Sequence, residues 1–162
     1  EWLFDVVTHD MAGLLARITA TFTSLSMDVI SADLATWDDG TVIDSFVVRS
    51  TTKPDERELA ASIESSFGVD VDTTSHRAHH FTVHYDDTIL PWHTIVTVTG
   101  RDEPGALEDI ARAFAAAGIS VHHAQISGDG SMMSDRFEVS DLENKRITDA
   151  HRILFESLLN RH

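Results

Sequence analysis

Two aspartates, Asp10 and Asp102, each stand three residues ahead of a glycine, Gly13 and Gly105, where an alternating segment gives way to one with helical periodicity. The tip of a helix offers unpaired N–H groups and a partial positive charge, which suit a carboxylate. An aspartate beside that tip can accept a charge-assisted hydrogen bond from an ammonium. A zwitterion would satisfy both. The plainer alternative is that each aspartate only caps its helix, a contribution of about 1 kcal/mol.

Other chemistry finds less support. Ten histidines invite a metal, with His76, His79, His80 and His84 close together and His122-His123 adjacent. If residues 80 to 85 form a strand, the Cβ atoms of His80 and His84 stand roughly 13 Å apart, too far to share one Zn²⁺. No helix carries His-x-x-x-His, so no metal site is expected. His9-Asp10 has no distant His and Asp partners for a phosphohydrolase centre. Gly-x-Ser-x-Gly, a phosphate-cradling glycine loop and an isolated carboxylate pair are all missing, so no catalytic residue and no cofactor are assigned.

The elements that position the two aspartates are themselves duplicated. An offset of 92 carries Asp10 to Asp102, Gly13 to Gly105, Ile18 to Ile110, Phe22 to Phe114, Val29 to Val121 and Ala32 to Ala124. Asp44-Ser45-Phe46-Val47-Val48 then matches Asp135-Arg136-Phe137-Glu138-Val139 at 91, one residue having been lost in a turn. Trp2 to Thr8 reads as a strand, as does Thr94 to Gly100. Helices follow, with Leu14, Leu15, Ile18 and Phe22, or Leu107, Ile110 and Phe114, on one face. Pro104 suits a first helical position, where its missing N–H costs nothing.

Asp28 to Thr36 and Thr41 to Val48 form a hairpin about Asp39-Gly40, repeated by 120 to 126 and 131 to 139. Second helices carry Leu59, Ile63 and Phe67, then Ile147, Leu154 and Leu158. Phe46 and Phe137 should be core, with Asp44 and Asp135 on the same strand face, either reaching backbone N–H groups or guarding a sheet edge. Phe81, Val83 and Tyr85 alternate as a fourth strand closing the first unit. The expected division is a first unit at 1–86, a linker at 87–93 and a second unit at 94–162 without a last strand of its own. Each unit reads βαββαβ. The class is α+β and ferredoxin-like, with antiparallel sheets and helices on one face.

Composition narrows the partners. Twelve basic residues against 27 acidic ones leave a formal charge of −15. A nucleic-acid binder needs a basic stripe, and none is present, so neither nucleic acid nor an anionic membrane is an expected partner. With no cysteine, disulfides and thiolate chemistry are excluded, which suits a cytoplasmic protein. The chain starts abruptly inside a strand, without Met, and reads as a piece of a longer protein.

The strand–Asp-x-x-Gly-Leu-Leu–helix pattern, the alanine of the next strand and the Asp-x-Phe-x-Val strand resemble the ACT domain, a regulatory small-molecule-binding module. Two in tandem are similar to the C-terminal regulatory region of the bifunctional uridylyltransferase/uridylyl-removing enzymes that act on the nitrogen regulatory protein PII. Tandem ACT modules also occur in other metabolic and transcriptional regulators. Met11-Ala12 and Glu103 depart from the usual Arg-Pro, as Ala106 does from Leu.

The resemblance implies a ligand held between the strand-to-helix loop of one unit and the second strand of its neighbour. The candidate residues are His9, Asp10, Met11, Ala12, Gly13, Leu14 and Leu15 with Ser120, and Asp102, Glu103, Pro104, Gly105, Ala106 and Leu107 with Asp28. It also implies a small amino acid, glutamine above all, signalling to upstream catalytic domains. It allows a homodimer through the ACT sheets as well; a stand-alone regulator and a ligand-free pairing module are the alternatives.

Overall fold

In the computed structural model, which describes residues 1–70, 80–128 and 130–160, seven strands and four helices share one hydrophobic core. The strands are β1 (Trp2–His9), β2 (Asp28–Thr36), β3 (Thr41–Arg49), β4 (Thr82–Asp86), β5 (Thr94–Arg101), β6 (Ile119–Ser127) and β7 (Met132–Asp141). The helices are α1 (Leu14–Ser24), α2 (Glu56–Ser66), α3 (Ala106–Ala116) and α4 (Asp149–Leu159). Every strand pairing is antiparallel, in the order β1-β3-β2-β6-β7-β5-β4. The α+β ferredoxin-like architecture is as expected.

Alternation explains why the helices lie on one face. In β3 the side chains of Val42, Asp44, Phe46 and Val48 are buried while Ile43 and Arg49 are exposed. A sheet with one apolar side must be covered on that side only. Phe22 meets Phe46 edge-on at 5.1 Å, and Phe114 meets Phe137 likewise at 5.0 Å, so the same aromatic joint fastens helix to sheet in both copies.

The two units join through their second strands. β2 and β6 pair with Asp33 opposite Gln125, residues that the duplication itself equates. The remaining pairs run symmetrically about that point, Ser31 with Ser127 and Ala35 with His123. A local two-fold axis therefore passes through the seam, and the two units pair within one chain.

The division of the chain needs correcting. β4 does not close the first unit: it pairs with β5, Val83 opposite Val98, at the far edge of the second. Residues 87–93 are the turn of that β4–β5 hairpin and not a linker between units. Asp87 accepts hydrogen bonds from Arg152 of α4 at 2.6 Å and from Thr94 Oγ1 at 2.7 Å. Arg146 donates to the carbonyls of Leu90 and Pro91. Among the described residues, therefore, the second unit has four strands and the first has three. The physical reason is reach, since a strand joined by a seven-residue turn packs beside the strand that follows it.

Candidate functional site

Both strand-to-helix turns end on a glycine with positive φ, 71° at Gly13 and 83° at Gly105, conformations that Gly adopts without a Cβ penalty. These glycines, not the aspartates, are the residues capping α1 and α3, and neither helix has a side-chain cap. The capping alternative for Asp10 and Asp102 therefore falls. Pro104 also lies one residue ahead of the cap and not at the first helical position, because Gly105 makes the turn.

The local two-fold sets each turn against the other unit's second strand, forming two cavities. The first, about 100 Å³, is lined by Asp10, Met11, Ala12, Gly13, Leu14 and Leu15 and closed across the seam by Ser120, Val121 and His122. Of the residues expected there, only His9 lies outside the lining. The second, about 20 Å³, brings together Asp102, Glu103, Gly105, Ala106 and Leu107 with Asp28. Pro104 is the one expected residue it omits. Twenty cubic ångströms hold about one water.

What closes the second cavity is Asp102. Its carboxylate accepts from Gly130 N at 3.1 Å, and its backbone N–H donates to Ser131 O, so the β6–β7 hairpin holds it. The hairpin sits so near that a Cβ on Gly128 would fall 2.3 Å from Asp102 Oδ2. Outside, a hollow of about 190 Å³ is lined by Asp28, Arg49, Asp102, Gly128 and Gly130, and the tip of α3 is not part of it. The Asp10 carboxylate, in contrast, has no hydrogen-bond partner among the described residues and is exposed. Only its backbone is tied, Asp10 N donating to Gly40 O at 2.8 Å.

A buried carboxyl forms part of each cavity lining. Asp44 lines the first and Asp135 the second, 3% and 2% exposed. Burial pushes both up to about 7, opposed by a hydrogen bond from the backbone of Ala35 or Ser127 and reinforced by the charge of Asp10 or Asp102. Ser127 N reaches Asp135 Oδ1 at 3.1 Å. Sequence reasoning placed these residues on the core face and assigned them no site. A charged residue repeated at one position between buried valines and phenylalanines was the available signal.

A β-bulge in each second strand sets one further wall residue. The register slips between Val29 and Ser31 in β2 and between Val121 and His123 in β6. The unpaired extra residues, Ile30 and His122, are equivalent in the duplication and each lines a cavity. His122 Nε2 lies 2.7 Å from Ser140 Oγ, and its ring stacks on His93 at 4.5 Å. Burial and the neighbouring His93 hold its pKa below the usual value, against Asp10 and Glu138. On the other side Asp28 is raised, chiefly by burial and also by Asp102, against the pull of Arg49 at 3.5 Å.

The arrangement of the first cavity can hold a small zwitterion. The opening turn of α1 leaves N–H groups without i−4 partners beside Leu15 and Ala16, both in the lining, while Asp10 and Asp44 supply carboxylates. No group of His, Cys, Asp and Glu among the described residues could hold a metal. His76 and His79 lie outside the described residues, and His84 is exposed on β4.

Residues 94–156 match the ACT domain family. Over 95% of its length the chain is 30% identical to the bifunctional uridylyltransferase/uridylyl-removing enzyme of Gluconobacter oxydans, covering 19% of that protein. The enzymes of the same name from Rhodospirillum rubrum and Caulobacter vibrioides are 25% and 28% identical over 88% and 91% of the chain, which covers 17% and 18% of each. The chain thus spans about a fifth of the length of the curated relatives it matches. No described helix is long and apolar enough to cross a membrane.

Proposed function

We propose that this chain, similar over most of its length to bifunctional uridylyltransferase/uridylyl-removing enzymes in their C-terminal region, is an ACT regulatory region whose first cavity is an amino-acid sensor site, glutamine being the favoured ligand. The single observation that carries the reading is a helix tip without a side-chain cap beside two carboxylates of its own unit, in a cavity closed by the second strand of the other unit. The ligand's carboxylate meets the first N–H groups of α1. Its ammonium is held by Asp10 at the mouth and by Asp44, which ionises as the cation arrives. The side-chain amide lies toward Ser120 and His122.

The regulatory step is linkage. A ligand that touches the turn of one unit and the strand of the other favours one arrangement of the seam, and only its differential affinity for the two arrangements can be passed on. The recipients are catalytic domains upstream in the same polypeptide, acting on PII in the cytoplasm. This region itself contributes no reacting group. The second cavity, with its own Asp102 hydrogen-bonded to the β6–β7 hairpin, serves as structure and binds nothing.

Isothermal titration of the chain with each of the twenty amino acids tests the reading. One site per chain is expected, strongest for glutamine, weakened at least tenfold by Asp10→Ala. Heats no larger than dilution for all twenty overturn it and leave a ligand-free pairing module.

A further inference from the structure

Among the described residues, the first unit has an open edge where the second has a strand. β1 pairs with β3 on one side only, whereas its equivalent β5 pairs with both β7 and β4. The consequence shows in burial. Val96 and Val98 of β5 are 0% exposed, but their counterparts Phe4 and Val6 are only half-buried. Between β1 and α2 runs a groove of about 500 Å³, floored by Phe4, Val6, Leu59, Ile63 and Phe67. In the second unit that space is filled by β4 and the residue ahead of it: Phe81 is buried, its N–H donates to Asn160 Oδ1 at 2.9 Å, and the Arg152 guanidinium sits 4.8 Å from the Tyr85 ring.

We propose that the open edge of β1 is the docking site for an extended segment of the parent polypeptide running directly into Trp2, the counterpart of β4. The duplication sets its place: the offset that equates Thr94 with Trp2 puts the partner strand about ten residues ahead of Glu1, joined by a turn like 87–93. The relatives match this chain in their C-terminal region, so in them a longer polypeptide precedes it. Hydrogen bonding is available. Asp10 N donates to Gly40 O, so the antiparallel alternation turns the even residues of β1 toward β3 and leaves Leu3, Asp5 and Val7 with outward N–H and C=O groups.

A second copy fits this edge poorly. Two-fold pairing of β1 with itself centred on Asp5 sets Asp5 against Asp5, like charges directly opposite, and every register brings together two chains each carrying −15. The docked segment would also join the parent polypeptide to β1, the strand that ends at the first cavity's turn. The inference does not depend on whether that cavity binds an amino acid.

Amide hydrogen exchange resolved by residue tests it, comparing the chain starting at Glu1 with one extended by the twenty residues encoded upstream. Extension should slow exchange at Leu3, Asp5 and Val7 at least tenfold and leave β5 unchanged. Val7→Pro removes one outward N–H: it should leave the melting temperature of the shorter chain within a few degrees and abolish the added protection in the longer one. Equal exchange in the two lengths overturns the proposal. So does protection already present in the shorter chain together with a dimer by light scattering, which would make the occupant a second copy.

Discussion

The two turns of this molecule began as one sequence and now differ in what fills the space before the helix tip. At the first, Asp10 is bound among the described residues only through its backbone, and about 100 Å³ stands open. At the second, the β6–β7 hairpin has closed on Asp102 and about 20 Å³ is left. The bulged wall residue differs as well, an imidazole at His122 against an aliphatic chain at Ile30. What a duplicated site does thus depends less on the retained Asp-x-x-Gly than on the neighbour that reaches it. A glycine at 128, with no side chain, is what permits the close approach.

The largest effect that would sharpen this comparison concerns the buried acids. Folding raises Asp44 and Asp135 to about 7, so the folded state holds protons that the unfolded chain releases above pH 4. Their stabilisation is fully present below the unfolded value and is lost as pH rises toward 7, by up to about 4 kcal/mol each from a three-unit shift. Chemical denaturation between pH 4 and 8 should show this decline, and Asp44→Asn with Asp135→Asn should flatten it. Amino-acid affinity should strengthen as pH approaches 7 and then level, a profile that Asp44→Asn removes and Asp135→Asn leaves intact. If both substitutions act alike on binding, the sites are not functionally distinct.

Next in size, Ser120→Phe fills the first cavity and should weaken binding by a hundredfold or more, about 2.7 kcal/mol, as read by titration. The equivalent change at the second, Asp28→Phe, should leave affinity unaltered. Asp102→Ala is expected to cost about 1–2 kcal/mol of stability through the lost hydrogen bond. It should also open the second cavity, giving a second binding event in titration if closure alone separates the two. Smallest is Gly128→Ala, whose Cβ must push Asp102 aside; a stability loss of about 1 kcal/mol in thermal melts would mark the clamp.

Most of the architecture was legible because it is written twice. Equivalences such as Phe22 with Phe114 exposed the repeat, and periodicity then placed all seven strands and four helices. The assignment of β4 failed because alternation in Phe81, Val83 and Tyr85 says that a strand exists, not which edge it joins. Both expected turns and both facing strands line cavities, apart from His9 and Pro104 at their rims. Asp44 and Asp135 were seen but read as local structure, since nothing in a sequence reports that a cavity lies beyond a strand. The closure at Asp102 was invisible for a related reason: it depends on a hairpin 28 residues away.

The unpaired residues Ile30 and His122 act as phase defects in their strands. Residues before such a defect face the opposite way from the count that later residues keep, and Asp28 and Ser120 both lie before it. Deleting His122 would heal the ladder with Ser120 still opposite Ser140, and the first cavity would lose the imidazole from its wall without any change to the turn opposite. One surplus residue per copy therefore gives each second strand an extra side chain at the helix tip of the other half of the molecule, one that an unbroken ladder would not supply.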